Sequence, residues 1–553
     1  MKLSGAQILI EVLLEHRVET VFGYPGGAVL NIYDALYENR HRINHILTSH
    51  EQGAAHAADG YARSTGKTGV VIATSGPGAT NLVTGIATAF MDSVPMVAIT
   101  GNVNMDLIGK DSFQEVYIAG ITMPITKHNF VVRDIDHLAK ALRDAFRIAR
   151  SGRPGPVLVD IPKDITIAQC DFIPEKPQPV INSYIPDESL LSAVATEINR
   201  SRRPLLYYGG GVISSGACQQ IRQLSLQGCI PAIHSIMGIG VMRNDDPMNL
   251  GMVGMHGIRS ASQSVKEADL LIAIGARFSD RVATDSQAFA ENAKIIHIDI
   301  DDCEVNKNVL IDYSIIGDVG NVLEHLLPHI INKDRSKWLS RINSIKQRDL
   351  APEDSDTSLK PHRIIDDLYS MTSDELIVTT DVGQHQMWAA QYSKSNRPRS
   401  FITSGGLGTM GFGYGAAVGA ILGCPNHTVV HITGDGSFHM NMNEVSTAVT
   451  YQLPIITVVM NNNALGMVRQ LQQVHCDSHY FATLLDKHTD YVKLADAFGA
   501  LGFRAETPAQ FRSALKEALS SNKTCIIECT IDREELVLPM IPAGKSVDDI
   551  ITK

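Results

Sequence analysis

Two polar turns, each at the end of an apolar run, constrain the fold of this chain most. The β-type run 429–433 ends in Gly434-Asp435-Gly436, and after a helix-length segment a second run ends in Asn461-Asn462-Asn463. In a βαβ unit both strands are parallel, so Asp435 and Asn462 are expected at the same carboxyl edge of a sheet. A carboxylate and an amide oxygen suit Mg²⁺, and the glycines let the backbone approach a diphosphate at a helix N-terminus. The alternative is an ordinary strand–turn–helix with polar turn residues.

Length and composition limit the class of protein. A chain of 553 residues corresponds to roughly three domains. The net charge of −11 argues against nucleic acid or an anionic membrane as the main partner. Eight cysteines without a CxxC motif favour a reducing cytoplasm. The uncharged stretch 405–425 has the length of a membrane helix, but its eight glycines favour close backbone packing instead of a membrane span.

Proline-rich and charged stretches divide the chain. The segments 173–179 and 333–361 separate domains predicted at 1–170, 185–335 and 362–553. Each part alternates β-type runs with helical segments, which predicts an α/β fold of three doubly wound parallel-sheet domains. The first and third parts share a strand, a Gly-x-Gly turn, a helix, a proline and a second strand. They are either two copies of a common supersecondary unit or two homologous domains that pair face to face.

A glutamate in the first part is the candidate for proton handling. Glu51 follows a β-type run and opens a helix rich in glycine and alanine. If the diphosphate belongs to thiamine diphosphate, a carboxylate hydrogen-bonded to the aminopyrimidine ring favours the imino tautomer that takes the thiazolium proton. An exposed or helix-capping role is the alternative for a single glutamate.

Many stretches of the chain resemble the acetohydroxyacid synthase catalytic subunits of the thiamine-diphosphate enzyme superfamily. The matching stretches are 22–28, 50–63, 74–81, 111–115, 152–165, 254–257, 275–282, 297–304, 381–391, 405–413 and 539–545. The resemblance implies pyrimidine-binding, central FAD-type and diphosphate-binding domains. It also implies a homodimer or tetramer whose site lies at the subunit interface, with Glu51 from one chain and the diphosphate cradle from the other. A regulatory small subunit is left open.

The resemblance also assigns site residues. The metal ligands are Asp435, Asn462 and the carbonyl of Ala464. The thiamine diphosphate contacts are Gln384, His385, Gly408, Met410, Gly436, Ser437, Leu465, Gly466 and Met467. The catalytic group comprises Gly27, Glu51, Gln114, Lys163 and Met410. Phe113, Arg281 and Leu471 are assigned to the substrates. Met410 matches the bulky residue that bends the cofactor; ordinary core packing is the alternative. Arg281 is expected to hold the carboxylate of the second 2-ketoacid, with a surface or flavin-side role as the alternative.

The central part lacks the GxGxxG pattern, because Ser214 stands where the third glycine belongs, so an NAD site is weakly supported. The resemblance implies a mostly structural FAD; a domain that binds nothing is the alternative. The residues assigned to FAD are Arg153, Gly209, Gly210, Gly211, Met255, His256, Gly257, Gly275, Ala276, Arg277, Asp299, Ile300, Glu304 and Asp318.

The expected reaction joins pyruvate to pyruvate or 2-ketobutyrate with loss of CO₂, as in branched-chain amino-acid biosynthesis. Family members that prefer 2-ketobutyrate usually have Trp where this chain has Leu471, so that preference is expected to be weaker. The alternatives are a pyruvate-only acetolactate synthase, a flavin-linked pyruvate oxidase, a decarboxylase, and a non-catalytic paralogue. The absence of a His-His pair from the sequence weighs against the decarboxylase.

Overall fold

The computed structural model describes residues 1–179, 187–349, 352–485 and 489–552. In these residues the chain forms three α/β units, each built on a parallel sheet of six strands. The predicted fold class is therefore confirmed, whereas the exact domain boundaries stay predictions. None of the helices in the described ranges has both the length and the apolar character that a membrane crossing requires.

The first unit has the strand order β3-β2-β4-β5-β7-β6, and β1 pairs antiparallel with β8. Strands β4, β5 and β7 are buried along their whole length, because helices cover both faces of the sheet. Its strands are β1 (Lys2–Ser4), β2 (Thr20–Tyr24), β3 (Asn44–Leu47), β4 (Gly69–Ala73), β5 (Met96–Asn102), β6 (His128–Val131), β7 (Pro156–Pro162) and β8 (Gln169–Asp171). Its helices are α1 (Gly5–Glu15), α2 (Leu30–Glu38), α3 (Glu51–Thr65), α4 (Pro77–Asn81), α5 (Val83–Met91), α6 (Ile118–Thr122), α7 (Leu138–Arg150) and α8 (Lys163–Ile167).

The central unit has the order β11-β10-β9-β12-β13-β14. Its middle strands β9 and β12 are continuous buried apolar runs. The strands are β9 (Pro204–Tyr208), β10 (Ala232–His234), β11 (Asn249–Met252), β12 (Leu270–Ile274), β13 (Lys294–Asp299) and β14 (Tyr313–Ile316). The helices are α9 (Glu188–Arg200), α10 (Gly210–Ser214), α11 (Cys218–Gly228), α12 (Arg259–Glu267), α13 (Val319–Leu326) and α14 (Ser336–Lys346).

The third unit has the order β16-β15-β17-β18-β20-β19. The strands are β15 (Leu376–Thr380), β16 (Phe401–Ile402), β17 (Thr428–Gly434), β18 (Ile455–Asn461), β19 (Leu501–Ala505) and β20 (Cys525–Thr530). The helices are α15 (Pro361–Met371), α16 (Gln384–Gln391), α17 (Phe412–Gly423), α18 (Asp435–Asn441), α19 (Glu444–Thr450), α20 (Gly466–His475), α21 (Tyr491–Phe498) and α22 (Pro508–Ser521).

Helices α3 and α17 join the first and third units through backbone contacts at glycines. A Cβ atom on Gly60 would overlap the carbonyl of Ala416, and one on Gly419 would overlap the carbonyl of Ala57. Because glycine lacks this atom, the two helix backbones approach closely. The glycine-rich stretch that follows residue 405 therefore forms part of a buried helix in a core shared by two units.

Candidate active site

Adjacent strands of the third sheet bring together the residues assigned to the metal. Asp435 begins α18 directly after β17, and Asn462 directly follows β18, the parallel neighbour of β17. The Asn462 Oδ1 atom accepts a hydrogen bond of 3.1 Å from the Ala464 amide. Burial raises the pKa of Asp435 to about 6, although nearby backbone amides, including those of Asn463 and Ala464, oppose the shift. The three assigned ligands thus lie at one sheet edge.

The beginning of α16 lies beside this edge. The Gln384 amide group donates to the Gln470 side chain at 3.0 Å, and its oxygen accepts from the Asn462 amide group at 3.3 Å. A Cβ atom on Gly466 would overlap that same oxygen, so residue 466 has no room for a side chain beyond glycine. Gln384, Asn462 and Gly466 therefore form one packed group.

His385 supplies an unpaired polar atom at this edge. Its ring lies against Gly434, where a Cβ atom would be 2.8 Å from Nδ1. Its Nε2 atom is buried and has no hydrogen-bond partner in the described part of the chain. Burial lowers the pKa of His385 to about 4, which keeps the ring neutral. A buried polar atom of this kind is costly unless a bound group pairs with it.

Met410 lies close to the same turn. A Cβ atom on Gly436 would be 2.6 Å from the Leu465 side chain and 3.9 Å from Cε of Met410. Gly408 and Gly411, on either side of Met410, have φ values of +71° and +82°, a region that glycine adopts at low cost. The Ser437 hydroxyl donates to the Val382 carbonyl at 3.0 Å.

The residues at this edge fit a metal–diphosphate group. Carboxylate, amide and carbonyl oxygens are the ligands that Mg²⁺ takes. A Cβ atom at position 436 would collide with the Leu465 side chain, so glycine is the residue that fits there, and His385 offers an unpaired nitrogen. Anions are also favoured where α18 begins, although this helix is short.

A second group of assigned residues surrounds the turn after β4 in the first unit. Glu51 begins α3 with only 9% of its surface exposed, and its Oε2 atom accepts a 2.9 Å hydrogen bond from Asn81. A Cβ atom on Gly78 would be 3.2 Å from Oε1 of Glu51. Gln114 packs against Gly76, where a Cβ atom would be 2.9 Å from the Gln114 Cα atom.

The remaining first-unit residues lie on more open surface. Gly27 begins a short 3₁₀ turn (Gly27–Val29), and nothing lies within 4 Å of the position its Cβ atom would take. Lys163 is half-buried at the start of α8, directly after β7. The side chain of Phe113 is 87% exposed, so its ring has little contact within this chain.

A cavity of about 800 Å³ lies between all three units. Its wall includes twelve of the fourteen residues assigned to FAD. They are Arg153, Gly210, Gly211, Met255, His256, Gly275, Ala276, Arg277, Asp299, Ile300, Glu304 and Asp318. Gly209 and Gly257 do not line the wall, but Gly209 packs on the backbone of Gly275 and Ala276, and Gly257 packs on residues 252–254. Gly408, Met467, Arg281 and Leu471 also line the cavity.

Ion pairs in the cavity wall join the first unit to the central unit. The Arg153 guanidinium of the first unit lies 3.0 Å from both Asp301 and Glu304 of the central unit. Burial lowers the pKa of His256 to about 4, and its Nδ1 atom has no hydrogen-bond partner among the described residues. The Arg281 side chain is 67% exposed and contacts the Met255 sulfur at 3.4 Å.

Two groups of assigned residues are missing from the wall of this cavity. Among the described residues that line the cavity, none belongs to the first-unit group of Gly27, Glu51, Phe113, Gln114 and Lys163. The described metal-ligand candidates Asp435, Asn462 and Ala464 do not line the cavity either. We call the strand ends that carry these three residues the metal-binding edge.

Two further residues support these groups and were not singled out from the sequence. Asn81 orients the Glu51 carboxylate; it ends the stretch 74–81, which offered the only signal. Asp381 is buried and accepts from Gly413 at 2.7 Å and Thr433 at 2.6 Å. Its carboxylate therefore joins the ends of β15 and β17 to the start of α17.

Comparisons with known proteins agree with this geometry. Three thiamine pyrophosphate enzyme family models match the chain: the N-terminal TPP binding domain over residues 3–121, the central domain over 191–326, and the C-terminal TPP binding domain over 381–529. The fold and the site thus define a thiamine pyrophosphate enzyme.

Relatives narrow the class further. The chain is 45% identical to the probable acetolactate synthase large subunit of Methanocaldococcus jannaschii, over 99% of this chain and 95% of the relative. It is 43% identical to acetolactate synthase isozyme 2 large subunit of Escherichia coli, over the whole of both chains. The Haemophilus influenzae large subunit is 42% identical over 100% of this chain and 98% of its own length. The chain belongs to the acetolactate synthase large-subunit family, which confirms the resemblance seen in the sequence.

Proposed function

We propose that this chain is the catalytic subunit of an acetolactate synthase. It condenses pyruvate with a second 2-ketoacid and releases CO₂. Pyruvate as the second substrate gives 2-acetolactate, and 2-ketobutyrate gives 2-aceto-2-hydroxybutyrate, both in branched-chain amino-acid biosynthesis. The observation that carries this proposal is the full-length similarity to acetolactate synthase large subunits, joined to Asp435 and Asn462 at adjacent strand ends.

The third unit holds the metal and the diphosphate in this proposal. Asp435, Asn462 and the Ala464 carbonyl bind Mg²⁺, and the side chains around Gln384 and His385 contact the diphosphate. The donor chemistry and the unpaired His385 nitrogen support this assignment. When bound, thiamine pyrophosphate supplies a nucleophilic carbon that adds to the keto group of pyruvate.

Glu51 holds a proton at the pyrimidine ring nitrogen. Asn81 donates to Oε2 of this carboxylate, and Oε1 lies beside Gly78, where a Cβ atom would be 3.2 Å away. The hydrogen bond from Asn81 fixes the rotation of the carboxylate. The carboxylate can therefore hold the proton in one geometry between its oxygen and the pyrimidine nitrogen, and general acid–base catalysis requires such a fixed geometry.

The wide cavity holds FAD in this proposal. The support is that most of the assigned residues line one space of about 800 Å³, within the range of cofactor pockets. Arg281 and Leu471 lie on the same wall as Gly408 and Met467, where the second 2-ketoacid would bind. An arginine can hold a carboxylate with two parallel hydrogen bonds.

The active site forms between two copies of the chain. The support is the resemblance to acetohydroxyacid synthases, which implies that Glu51 and the diphosphate cradle come from different chains, together with the 87% and 84% exposure of Phe113 and Phe481. Exposed aromatic rings beside a site are typical of surfaces that a partner covers. A homodimer is the smallest such assembly, and a regulatory small subunit and a cytoplasmic location remain proposals.

Product analysis tests the function. Purified protein is incubated with pyruvate alone and with added 2-ketobutyrate, and thiamine pyrophosphate, Mg²⁺ and FAD are omitted in turn. We expect 2-acetolactate from pyruvate alone, and loss of product without thiamine pyrophosphate or Mg²⁺. Oxygen consumption with acetate formation would instead identify a pyruvate oxidase, and acetaldehyde would identify a decarboxylase.

A further inference from the structure

Residues 403–410 of the third unit are bonded to the first unit by side chains that the proposed function does not use. We call residues 403–410 the anchor loop. It carries Gly408 and Met410, leads into α17, and forms part of the cavity wall at residues 404–408. Its position therefore decides where Met410 lies relative to the metal-binding edge.

Asp92, which follows α5, binds the backbone of the anchor loop. Its side chain is fully buried, with Oδ2 accepting from the Gly405 amide at 2.9 Å and Oδ1 from the Gly406 amide at 2.7 Å. A Cβ atom on Gly406 would be 2.8 Å from the same carboxylate, so a glycine permits this approach. Hydrogen bonds from two amides to one ionised carboxylate are about twice as strong as neutral ones.

Arg63, in the last turn of α3, balances the charge of Asp92 and adds a third contact. Its Nη2 atom lies 3.0 Å from Asp92, and its Nη1 atom donates to the Thr403 carbonyl at 2.9 Å. Asp59, one turn earlier on α3, fixes the other side of the guanidinium. The planar fork of arginine therefore holds both the carboxylate and the loop backbone.

Thr88 of α5 makes a fourth contact, next to Met410. Its hydroxyl donates to the Thr84 carbonyl at 2.9 Å and lies 2.8 Å from the Thr409 hydroxyl. Because a hydroxyl has one proton, the Thr409 hydroxyl must donate to Thr88. Both side chains are buried, so this bond has no competition from water.

We propose that Asp92, Arg63 and Thr88 are positioning residues that hold the anchor loop in register with the metal-binding edge. Through this loop they set the position of Met410, and hence the affinity of the chain for thiamine pyrophosphate with Mg²⁺ and the rate at which the bound cofactor would exchange its C2 proton. The inference rests on the proposed function because it takes Gly408 and Met410 as cofactor contacts. In this proposal the first unit positions the anchor loop of its own chain through these residues and supplies Glu51 to the site of the partner copy.

Thr88→Val keeps the side-chain shape and removes both hydrogen bonds of the hydroxyl, of which only the one to Thr409 reaches the anchor loop. We expect its Kd for thiamine pyrophosphate with Mg²⁺, measured by calorimetry, to rise about two- to tenfold, which corresponds to one neutral hydrogen bond. The matched control is Thr84→Val, on the exposed face of the same helix, which should bind like the unmodified protein. Equal Kd values for the Thr88 variant and the unmodified protein, or an equal loss in the control, would overturn the proposal.

Asp92→Asn and Arg63→Lys test the charged contacts. We expect Asp92→Asn to raise the same Kd by at least about tenfold, because both amides lose a charged acceptor. At saturating cofactor, exchange of the thiazolium C2 proton with deuterium, followed by NMR, should also slow in both variants. If variants that retain their fold exchange the C2 proton at the unmodified rate, the contacts are merely structural and the proposal is wrong. If the unmodified protein fails to bind thiamine pyrophosphate, the proposed function itself is wrong. If either charged variant fails to fold, the Kd of Thr88→Val decides whether the proposal stands.

Discussion

The carboxylate of Glu51 accepts a hydrogen bond from Asn81 at one oxygen and lies beside Gly78 with the other. His385 shows a related arrangement in the third unit, with a neutral ring and an unpaired buried nitrogen. The His385 nitrogen is therefore available to a bound group. Because an unpaired buried polar atom is costly, this nitrogen supports the diphosphate contact proposed for His385.

Glu51→Gln removes the acidic proton site while keeping the shape of the side chain. We expect kcat for acetolactate formation to fall at least about 100-fold, since general acid–base catalysis contributes about 10²–10⁴. Thiamine pyrophosphate should still bind, because the diphosphate and metal contacts are in the third unit. Calorimetric titration and a coupled product assay separate the two effects, and a variant with normal kcat would remove Glu51 from the mechanism.

Leu471→Trp tests the choice of the second substrate. Indole offers more apolar contact area to the extra methyl of 2-ketobutyrate, and one methylene is worth about 1–3 kcal/mol. We expect the product ratio in a competition between both acceptors to shift about tenfold toward 2-aceto-2-hydroxybutyrate. Leu226→Trp, at a residue that is 77% exposed on the central unit, serves as the control. If the product ratio of Leu471→Trp equals that of the unmodified protein, the second 2-ketoacid does not bind beside residue 471.

Helix α3 combines three tasks along its length. Its first residue is Glu51, its small residues pack against α17, and Arg63 in its last turn binds the anchor loop. The backbone amides of Ser49 and His50, just before the helix, donate to the Glu444 carboxylate of the third unit. A single helix thus connects Glu51 to the unit that carries Asp435 and Asn462.

Local patterns account for part of this arrangement. The strands β17 and β18 are apolar runs that end in polar turns, so the meeting of Asp435 and Asn462 could be predicted from spacing alone. The packing of α3 on α17 could not, because a small-residue helix shows no strong apolar face to indicate its partner. Asp92 gave no signal either, since its acceptor role depends on Gly405 and Gly406, more than 300 residues away in the chain.

Gly419→Ala tests the contact between α3 and α17. The new methyl group would overlap the Ala57 carbonyl and lie 2.6 Å from the Tyr61 amide nitrogen. Overpacking of this kind costs about 1–3 kcal/mol, so we expect the Tm to fall by about 5 °C. The control is Gly320→Ala on α13, where the nearest atom is a carboxylate oxygen at 3.2 Å and a small change in Tm is expected. Equal Tm values for both variants would contradict the backbone contact.

At the level of the whole molecule, the first unit faces two ways. Arg63, Thr88 and Asp92 bind the third unit of the same chain, whereas Glu51 and the exposed Phe113 lie outside the cavity that this chain encloses. In the proposed twofold dimer, each copy would complete the site of the other. The arrangement also explains why a monomer of this chain would leave large apolar side chains exposed.

Mixed dimers of two inactive variants test this arrangement. Glu51→Gln and Asp435→Ala chains are each expected to be inactive alone. When they are co-expressed in equal amounts, half of the dimers are mixed, and each mixed dimer has one site with both Glu51 and Asp435 intact. We therefore expect about a quarter of the unmodified activity, given random twofold assembly.

The matched control co-expresses the unmodified chain with a chain that carries both substitutions. If the site forms between copies, a mixed dimer has no intact site, and activity is about a quarter of that from unmodified chains alone. If the site forms within one chain, the same control gives about half, and the two single variants together give none. The two arrangements therefore differ about twofold in the activity of the control. In the co-expressed single variants, activity is expected only if the site forms between copies.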